Sequence, residues 1–193
     1  MSKFAFGPYG GAKGKGWRLL QIELGILDLI QTWLRSDLLD VVVPAFTRLG
    51  NGGNIWIAWT CLLLIFPKTR RAGAVMAVSL ALEGLCCNVV LKPLVARPRP
   101  FTENPAVTLL IHQPGDFSFP SGHTGAAFAA ASALYFGRDR LWPLALVLAV
   151  LMGFSRLYLY VHYPSDVLAG ALLGGATGWL AGLLVQKAAS GEK

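Results

Sequence analysis

Apolar residues run in long blocks along this chain, separated by short polar stretches. A bilayer's hydrocarbon core is about 30 Å thick, so a spanning helix needs roughly 20 mostly apolar residues. Residues 71–91, 141–160 and 167–185 meet that length. Residues 53–66 and 122–136 reach it only with help from their flanking turns. The stretch 17–35 is patterned differently. Leu20, Ile26, Leu27, Ile30, Trp33 and Leu34 gather on one side, while Gln21, Asp28, Thr32 and Arg35 fall on the other. That spacing predicts an amphipathic helix. It either lies in the membrane interface or packs as a first span with Glu23 and Asp28 turned into the bundle. Residues 41–49 continue as a short apolar piece interrupted by Pro44, and Asn51-Gly52-Gly53 forms a turn.

Charge gives the pattern a direction. Lys68, Arg70 and Arg71, then Arg138 and Arg140, then Lys187 and Lys193 fall on one side if the later helices alternate. By the positive-inside rule that side is cytoplasmic. The Gly-rich basic start, 1–16, lacks the apolar core of a signal peptide and reads as a flexible cytoplasmic tail. It shares the cytoplasmic side if 17–49 cross once, which gives about six spans. The expected organisation is a tail at 1–16, an amphipathic or first membrane helix region at 17–50, a helix-bundle core at 51–186 and a second cytoplasmic tail at 187–193. The fold class is all-α, a polytopic membrane helix bundle. The intervening loops 92–121 and 155–165 then face outward.

Composition agrees with the pattern. Hydrophobic residues make up 54% of the chain and charged residues 14%, against roughly 25% charged in a soluble domain. The net charge of +7 follows from the basic loops. It carries no basic stripe interleaved with aromatics, so no nucleic-acid partner is expected. Cys61, Cys86 and Cys87 sit in apolar runs and read as small buried hydrophobes, with neither disulfide nor metal spacing. Gly170, Gly174, Gly178 and Gly182 recur every four residues, and Ala126/Ala130 and Ala127/Ala131 do the same. They form smooth faces for close helix approach, within the chain or between copies. The oligomeric state stays open.

The outward loops concentrate reactive groups. Lys92 ends one apolar block, Arg97 and Arg99 each precede a proline, and Arg156 follows a later block. Converging cations of this kind suit a multiply charged anion, and arginine matches phosphate oxygens with paired N–H donors. Spacing alone does not choose between Arg97 and Arg99. Pro120-Ser121-Gly122-His123 opens a helix, where free N–H groups bind phosphate and His123 can carry a proton. His162 and Asp166 stand four residues apart across Pro164. The pair suits a carboxylate-oriented imidazole, unless Asp166 only caps the last helix. Glu103 and Asp116 read as solvated loop charges, with weak ligation or substrate recognition as the alternative. Glu83 and Asn88 are polar groups within one span.

Three clusters in order, Lys92…Arg99-Pro100, Pro120-Ser121-Gly122-His123 and Ser155-Arg156…His162…Asp166, resemble the signature of the type 2 phosphatidic acid phosphatase family. That family holds membrane lipid phosphatases and soluble vanadium haloperoxidases. The resemblance runs from about residue 52 to 185 and selects Arg99 over Arg97. It implies a metal-independent, cofactor-free phosphatase with His162 as nucleophile, Asp166 orienting it and His123 as acid and then base. Lys92, Arg99, Ser121, Gly122 and Arg156 would hold the phosphoryl oxygens. The substrate expected is a lipid phosphate or pyrophosphate presented by the bilayer. Undecaprenyl pyrophosphate is favoured, with phosphatidylglycerophosphate or phosphatidic acid as alternatives. The chain would sit in a bacterial plasma membrane as a multi-pass protein with its site outward. The apolar spans argue against the haloperoxidase reading. A non-enzymatic transporter or scaffold is the remaining alternative.

Overall fold

A computed structural model describes residues 15–191, and every regular element among them is helical. The tail read over 1–16 lies outside the described residues except for its last two positions, which begin the first helix. The end of the tail read over 187–193 lies outside them as well.

Helix α1 (Lys15–Trp33) and helix α2 (Asp37–Leu49) come first. Ser36 caps α2 by accepting the Leu39 N–H at 3.4 Å, and Asp37 and Asp40 suit its positive end. The helix runs on through Pro44, so the expected interruption is absent. Proline removes one N–H there, and the rest of the ladder carries the turn. A 3₁₀ turn at Asn51–Gly53 follows, with positive φ at Gly52 and Gly53, a conformation glycine adopts without steric cost.

Helix α3 (Asn54–Ile65) leads away from this turn, and helix α4 (Arg70–Gly84) returns. α4 passes into a π-helical stretch, Leu85–Leu91, and then into α5 (Lys92–Val95). π-helical turns within longer helices are frequent at functional sites, and this one ends beside Lys92. The short α6 (Pro100–Glu103) opens a long loop. α7 (Gly122–Phe136), α8 (Trp142–Tyr158) and α9 (Pro164–Ser190) complete the bundle.

α7 is the central element, packed by α4, α8 and α9. Its alanines at 127, 129, 130 and 133 are fully buried. Many large apolar side chains of the surrounding helices point out: Leu172 is 75% exposed, and Leu94, Val147, Val150 and Leu183 are exposed too, while Trp56, Met76 and Leu134 are buried in the core. Small residues on the central helix and many large apolar residues outside suit a bundle surrounded by lipid. Two stretches are long and apolar enough to cross a membrane, Arg70–Glu103 and Pro164–Ser190, and Asn51–Ile65 and Trp142–Tyr158 are shorter apolar helices.

α1 buries Leu24, Leu27 and Ile30 and turns Glu23 into the bundle, as the second of the two readings expected, whereas Ile26, Trp33 and Leu34 are exposed. Asp28 accepts from the Tyr160 hydroxyl at 2.8 Å and Gln31 donates to the Tyr158 carbonyl at 2.7 Å. The Asp40 carboxylate accepts from the Tyr158 hydroxyl at 2.6 Å, and Thr47 reaches Arg156. These contacts hold 23–47 at the end of the bundle where α8 finishes and α9 starts. Among the described residues this stretch is not one of those long and apolar enough to cross a membrane, so the count of about six spans is not confirmed.

Candidate active site

Elements distant in sequence deliver their functional groups to that same end. Lys92 comes from the π-helical end of α4, Arg99 from the loop before α6, and His123 from the first turn of α7. Arg156 comes from the last turn of α8 and His162 from the α8–α9 connection. One cavity of about 370 Å³ is lined by Lys92, Arg99, Gly122, His123, Arg156 and His162, with Thr47, Asn51, His112 and Asp116 on its wall. Lys92, Arg99, Arg156 and His162 are each less than a tenth exposed.

Hydrogen bonding fixes the His162 tautomer. Arg99 Nη1 stands 3.2 Å from His162 Nε2. Arginine only donates, so Nε2 is the lone-pair nitrogen, assigned by the network, and the proton sits on Nδ1. Nδ1 faces Asp166 Oδ2 at 3.6 Å and makes no closer polar contact. Desolvation by burial pushes the His162 pKa down to about 3; the Asp166 carboxylate opposes this, and the Arg99 and Arg156 charges add to it. The imidazole is therefore neutral at physiological pH, with the Nε2 lone pair accepting the Arg99 N–H.

Asp166 is completely buried and does both things the sequence offered as alternatives. As the third residue of α9 it caps that helix, taking the Tyr163 N–H on Oδ2 at 2.9 Å. It also stands behind His162. Ser118 donates to Oδ2, and Arg97 donates to Oδ1 at 2.7 Å.

The two arginines separate in space. Arg99 lines the cavity and donates to the Val161 carbonyl at 2.7 Å, the Asp116 carbonyl at 2.8 Å and Asp116 Oδ1 at 2.6 Å. Arg97 lies behind the site. It reaches Asp166, Ser165 and Glu23, and its guanidinium carbon stands 3.8 Å over the Tyr163 ring.

Asp116 departs from the reading as a solvated loop charge. Its carboxylate bridges Lys92 and Arg99. Burial pushes its pKa up, but the Lys92 hydrogen bond and the Arg99 charge prevail and hold it at about 2. It is ionised across any working pH and occupies two of the three cations.

Ser121 departs as well. Its hydroxyl pairs with the Thr124 hydroxyl at 2.9 Å and its N–H with the Asp166 carbonyl at 3.0 Å. The side chain is fully buried and does not line the cavity. Its visible role is to tie the start of α7 to the start of α9. Gly122 does line the cavity. A Cβ there would stand 3.5 Å from Asn88 Oδ1 and from Cys87 Sγ, so glycine keeps the Lys92 side open.

Other contributors carried no motif. Asn51 Oδ1 is 3.0 Å from His123 Nε2, placed there by the glycine turn. Thr47 Oγ1 accepts from Arg156 Nη1 at 2.6 Å, while Arg156 Nε is buried without a partner. A second cavity of about 290 Å³ shares Lys92, Asp116, Gly122 and His123 with the first and extends past Asn88 and Glu83 to Ile57 and Leu80. The arrangement can receive a phosphate among three cations with a neutral imidazole lone pair beneath it. His123 is close enough to serve the same occupant, since both histidines line one cavity.

Comparisons with known proteins give this geometry a context. The PAP2 superfamily model matches residues 72–190. The chain is 38% identical over 138 residues to an undecaprenyl-diphosphatase of Sulfolobus acidocaldarius, covering 71% of this chain and 65% of that protein. It is 39% identical over 140 residues to a decaprenylphosphoryl-5-phosphoribose phosphatase of Mycobacterium tuberculosis, covering 67% and 73%. The chain thus spans just under two thirds of the first relative's length. Its fold is similar to the crystal structure of a transmembrane PAP2-type phosphatidylglycerolphosphate phosphatase from Bacillus subtilis. That match has a TM-score of 0.72 and 27% identity, over 91% of this chain and 89% of the other.

Proposed function

The chain belongs to the PAP2 superfamily, and on that premise we propose that it is an integral membrane lipid phosphatase working through a phosphohistidine. The observation that carries this reading is the Arg99 donor on His162 Nε2, which keeps that nitrogen unprotonated at a cavity lined by cations.

In the proposed reaction the substrate phosphate displaces Asp116 and settles among Lys92, Arg99 and Arg156. His162 Nε2 attacks phosphorus as the bond to the leaving oxygen breaks. The His162 Nδ1–H turned toward Asp166 lets the carboxylate balance the cationic phosphoimidazole. His123, with Asn51 on its ring nitrogen, gives its proton to the leaving oxygen and then takes one from the attacking water. Water adds to phosphorus, the N–P bond breaks and phosphate leaves. The cations stabilise charge spread over the equatorial oxygens in both steps. The ionisable residues lining the cavity are Arg48, Lys92, Arg99, Arg156, three histidines and Asp116.

The preferred substrate is undecaprenyl pyrophosphate. The two relatives named above act, by their names, on polyprenyl-linked phosphates, and the second cavity gives the site an apolar extension. The site is read as facing outward, because Lys68, Arg70, Arg71, Arg138 and Arg140 lie in the turns at the opposite end. Phosphatidylglycerophosphate is the second reading, favoured by the Bacillus subtilis fold match.

Purified protein should release phosphate from undecaprenyl pyrophosphate faster than from phosphatidylglycerophosphate, phosphatidic acid or diacylglycerol pyrophosphate. EDTA should leave the rate unchanged, and acid-quenched enzyme should carry acid-labile phosphate. His162→Ala should lose turnover by at least about a thousandfold. Robust turnover by that variant would sink the mechanism, and a different lipid order would reassign the substrate.

A further inference from the structure

Arg97, Glu23 and Ser165 form a cluster behind the cavity that the mechanism above does not use. Glu23 is 3% exposed. Its Oε2 accepts from Arg97 Nη2 at 2.6 Å and its Oε1 accepts the Ser165 N–H at 2.9 Å. The other amino group of Arg97 donates to Ser165 Oγ and Asp166 Oδ1, both at 2.7 Å. One guanidinium thus joins a carboxylate on α1 to the carboxylate behind His162.

We infer that Glu23 and Arg97 are a positioning pair that orients Asp166 and preserves its negative charge for His162. The inference rests on the proposed nucleophilic role of His162. Arg97 alone would neutralise Asp166, since a short guanidinium–carboxylate pair cancels most of the field the carboxylate exerts elsewhere. Glu23 takes the other half of the guanidinium, and the three groups together keep one net negative charge. That charge opposes the cation formed at His162 when Nε2 bonds to phosphorus. The groups facing His162 otherwise are cationic or neutral: Arg99 from the loop, Arg156 from α8 and His123 from α7. Asp166 is therefore the acid that must hold its charge, and Glu23 acts through it.

Geometry adds to the electrostatic argument. With Oδ1 pinned by Arg97 and Oδ2 taking Ser118 and the Tyr163 N–H, the carboxylate cannot rotate away from His162. Tyr163 stacks under the same guanidinium, which fixes the plane of the fork.

The test uses full-length protein in detergent with farnesyl pyrophosphate as the soluble probe. Glu23→Gln should lower kcat on the order of tenfold, about 1.4 kcal/mol of transition-state stabilisation, with KM within about twofold because no substrate contact is lost. Arg97→Lys should do the same, because lysine keeps the charge and loses the fork. The double variant should lose little more than either single, as expected for groups acting as a unit. Glu23→Asp should recover part of the loss. Asp28→Ala is the control for α1 docking: it removes the acceptor of the Tyr160 hydroxyl, should lower the melting temperature and should leave kcat intact. The inference is overturned if Glu23→Gln keeps wild-type kcat, if Asp28→Ala lowers kcat equally, or if the two losses simply add. His162→Ala, run alongside, separates the two readings. Activity there overturns the nucleophile assignment, whereas a silent Glu23→Gln beside an inactive His162→Ala overturns only the positioning pair.

Discussion

Arg97 and Arg99 stand two residues apart, yet they face different tasks. A regular strand would turn residues two apart to the same face, so it is the irregular backbone at 96–99, entered through the positive φ of Ala96, that separates them. Arg99 meets the cavity and Arg97 meets Asp166. Asp116 is the residue whose role the sequence missed most clearly. Its carboxylate holds the cations that a phosphate would need, so it competes with substrate for them. Asp116→Asn should therefore tighten inhibition by inorganic phosphate and orthovanadate, on the order of tenfold. That size fits the loss of one half-exposed charge competing for charge-assisted hydrogen bonds. Inhibition constants for both oxyanions measure it. Weaker inhibition in the variant would make Asp116 part of the binding site instead of its occupant.

At the scale of elements, the glycine repeat on α9 finds its partner in α7. A Cβ on Gly170 would stand 2.5 Å from the Ser121 carbonyl, and one on Gly178 would stand 2.5 Å from Ser132 Cβ. Gly174 is tighter still, against the Gly125 carbonyl. The contact is thus within the chain, and it sets the distance between His123 on α7 and Asp166 on α9. Gly174→Ala should cost about 2 kcal/mol by overpacking and reduce activity with it. Gly175→Ala is the contrasting case, because nothing lies within 4 Å of its added carbon. It should be neutral or stabilising by up to about 1 kcal/mol, the helical preference of alanine over glycine. Thermal unfolding in detergent reads both, and equal losses would remove the packing argument. α1 teaches a second lesson about elements. It buries Leu24, Leu27 and Ile30 together with Glu23 and leaves Leu19, Ile22, Leu29 and Trp33 exposed, so apolar residues lie on both faces.

The whole molecule is a bundle with small side chains on its central helix, many large apolar ones outside and a polar site at one end. Each connection at the opposite end carries cations, Lys68 and Arg70 in one and Arg138 and Arg140 in the other. Membrane orientation is testable on that basis. In a variant with Cys61, Cys86 and Cys87 replaced by alanine, a cysteine at His112 should react with an impermeant maleimide added to intact cells. A cysteine at Arg140 should react only after permeabilisation. The reverse pattern would place the site in the cytoplasm and exclude an outward-facing substrate headgroup.

The sequence by itself determined the helical class and the three motif clusters whose resemblance implies phosphate chemistry, because helix periodicity, span length and motif spacing are all written locally. It even marked the glycine stripe, though not the helix that would fill it. Tertiary structure decided the rest. Asn51 reaches His123 across 72 positions and Thr47 reaches Arg156 across 109, while Glu23 meets Arg97 across 74. No local pattern encodes such pairs, since each depends on where two helix ends meet. The same dependence turned Ser121 away from the cavity, gave Asp166 both a cap and a histidine, and brought Glu23, Asp40 and Thr47 to the site end of the bundle.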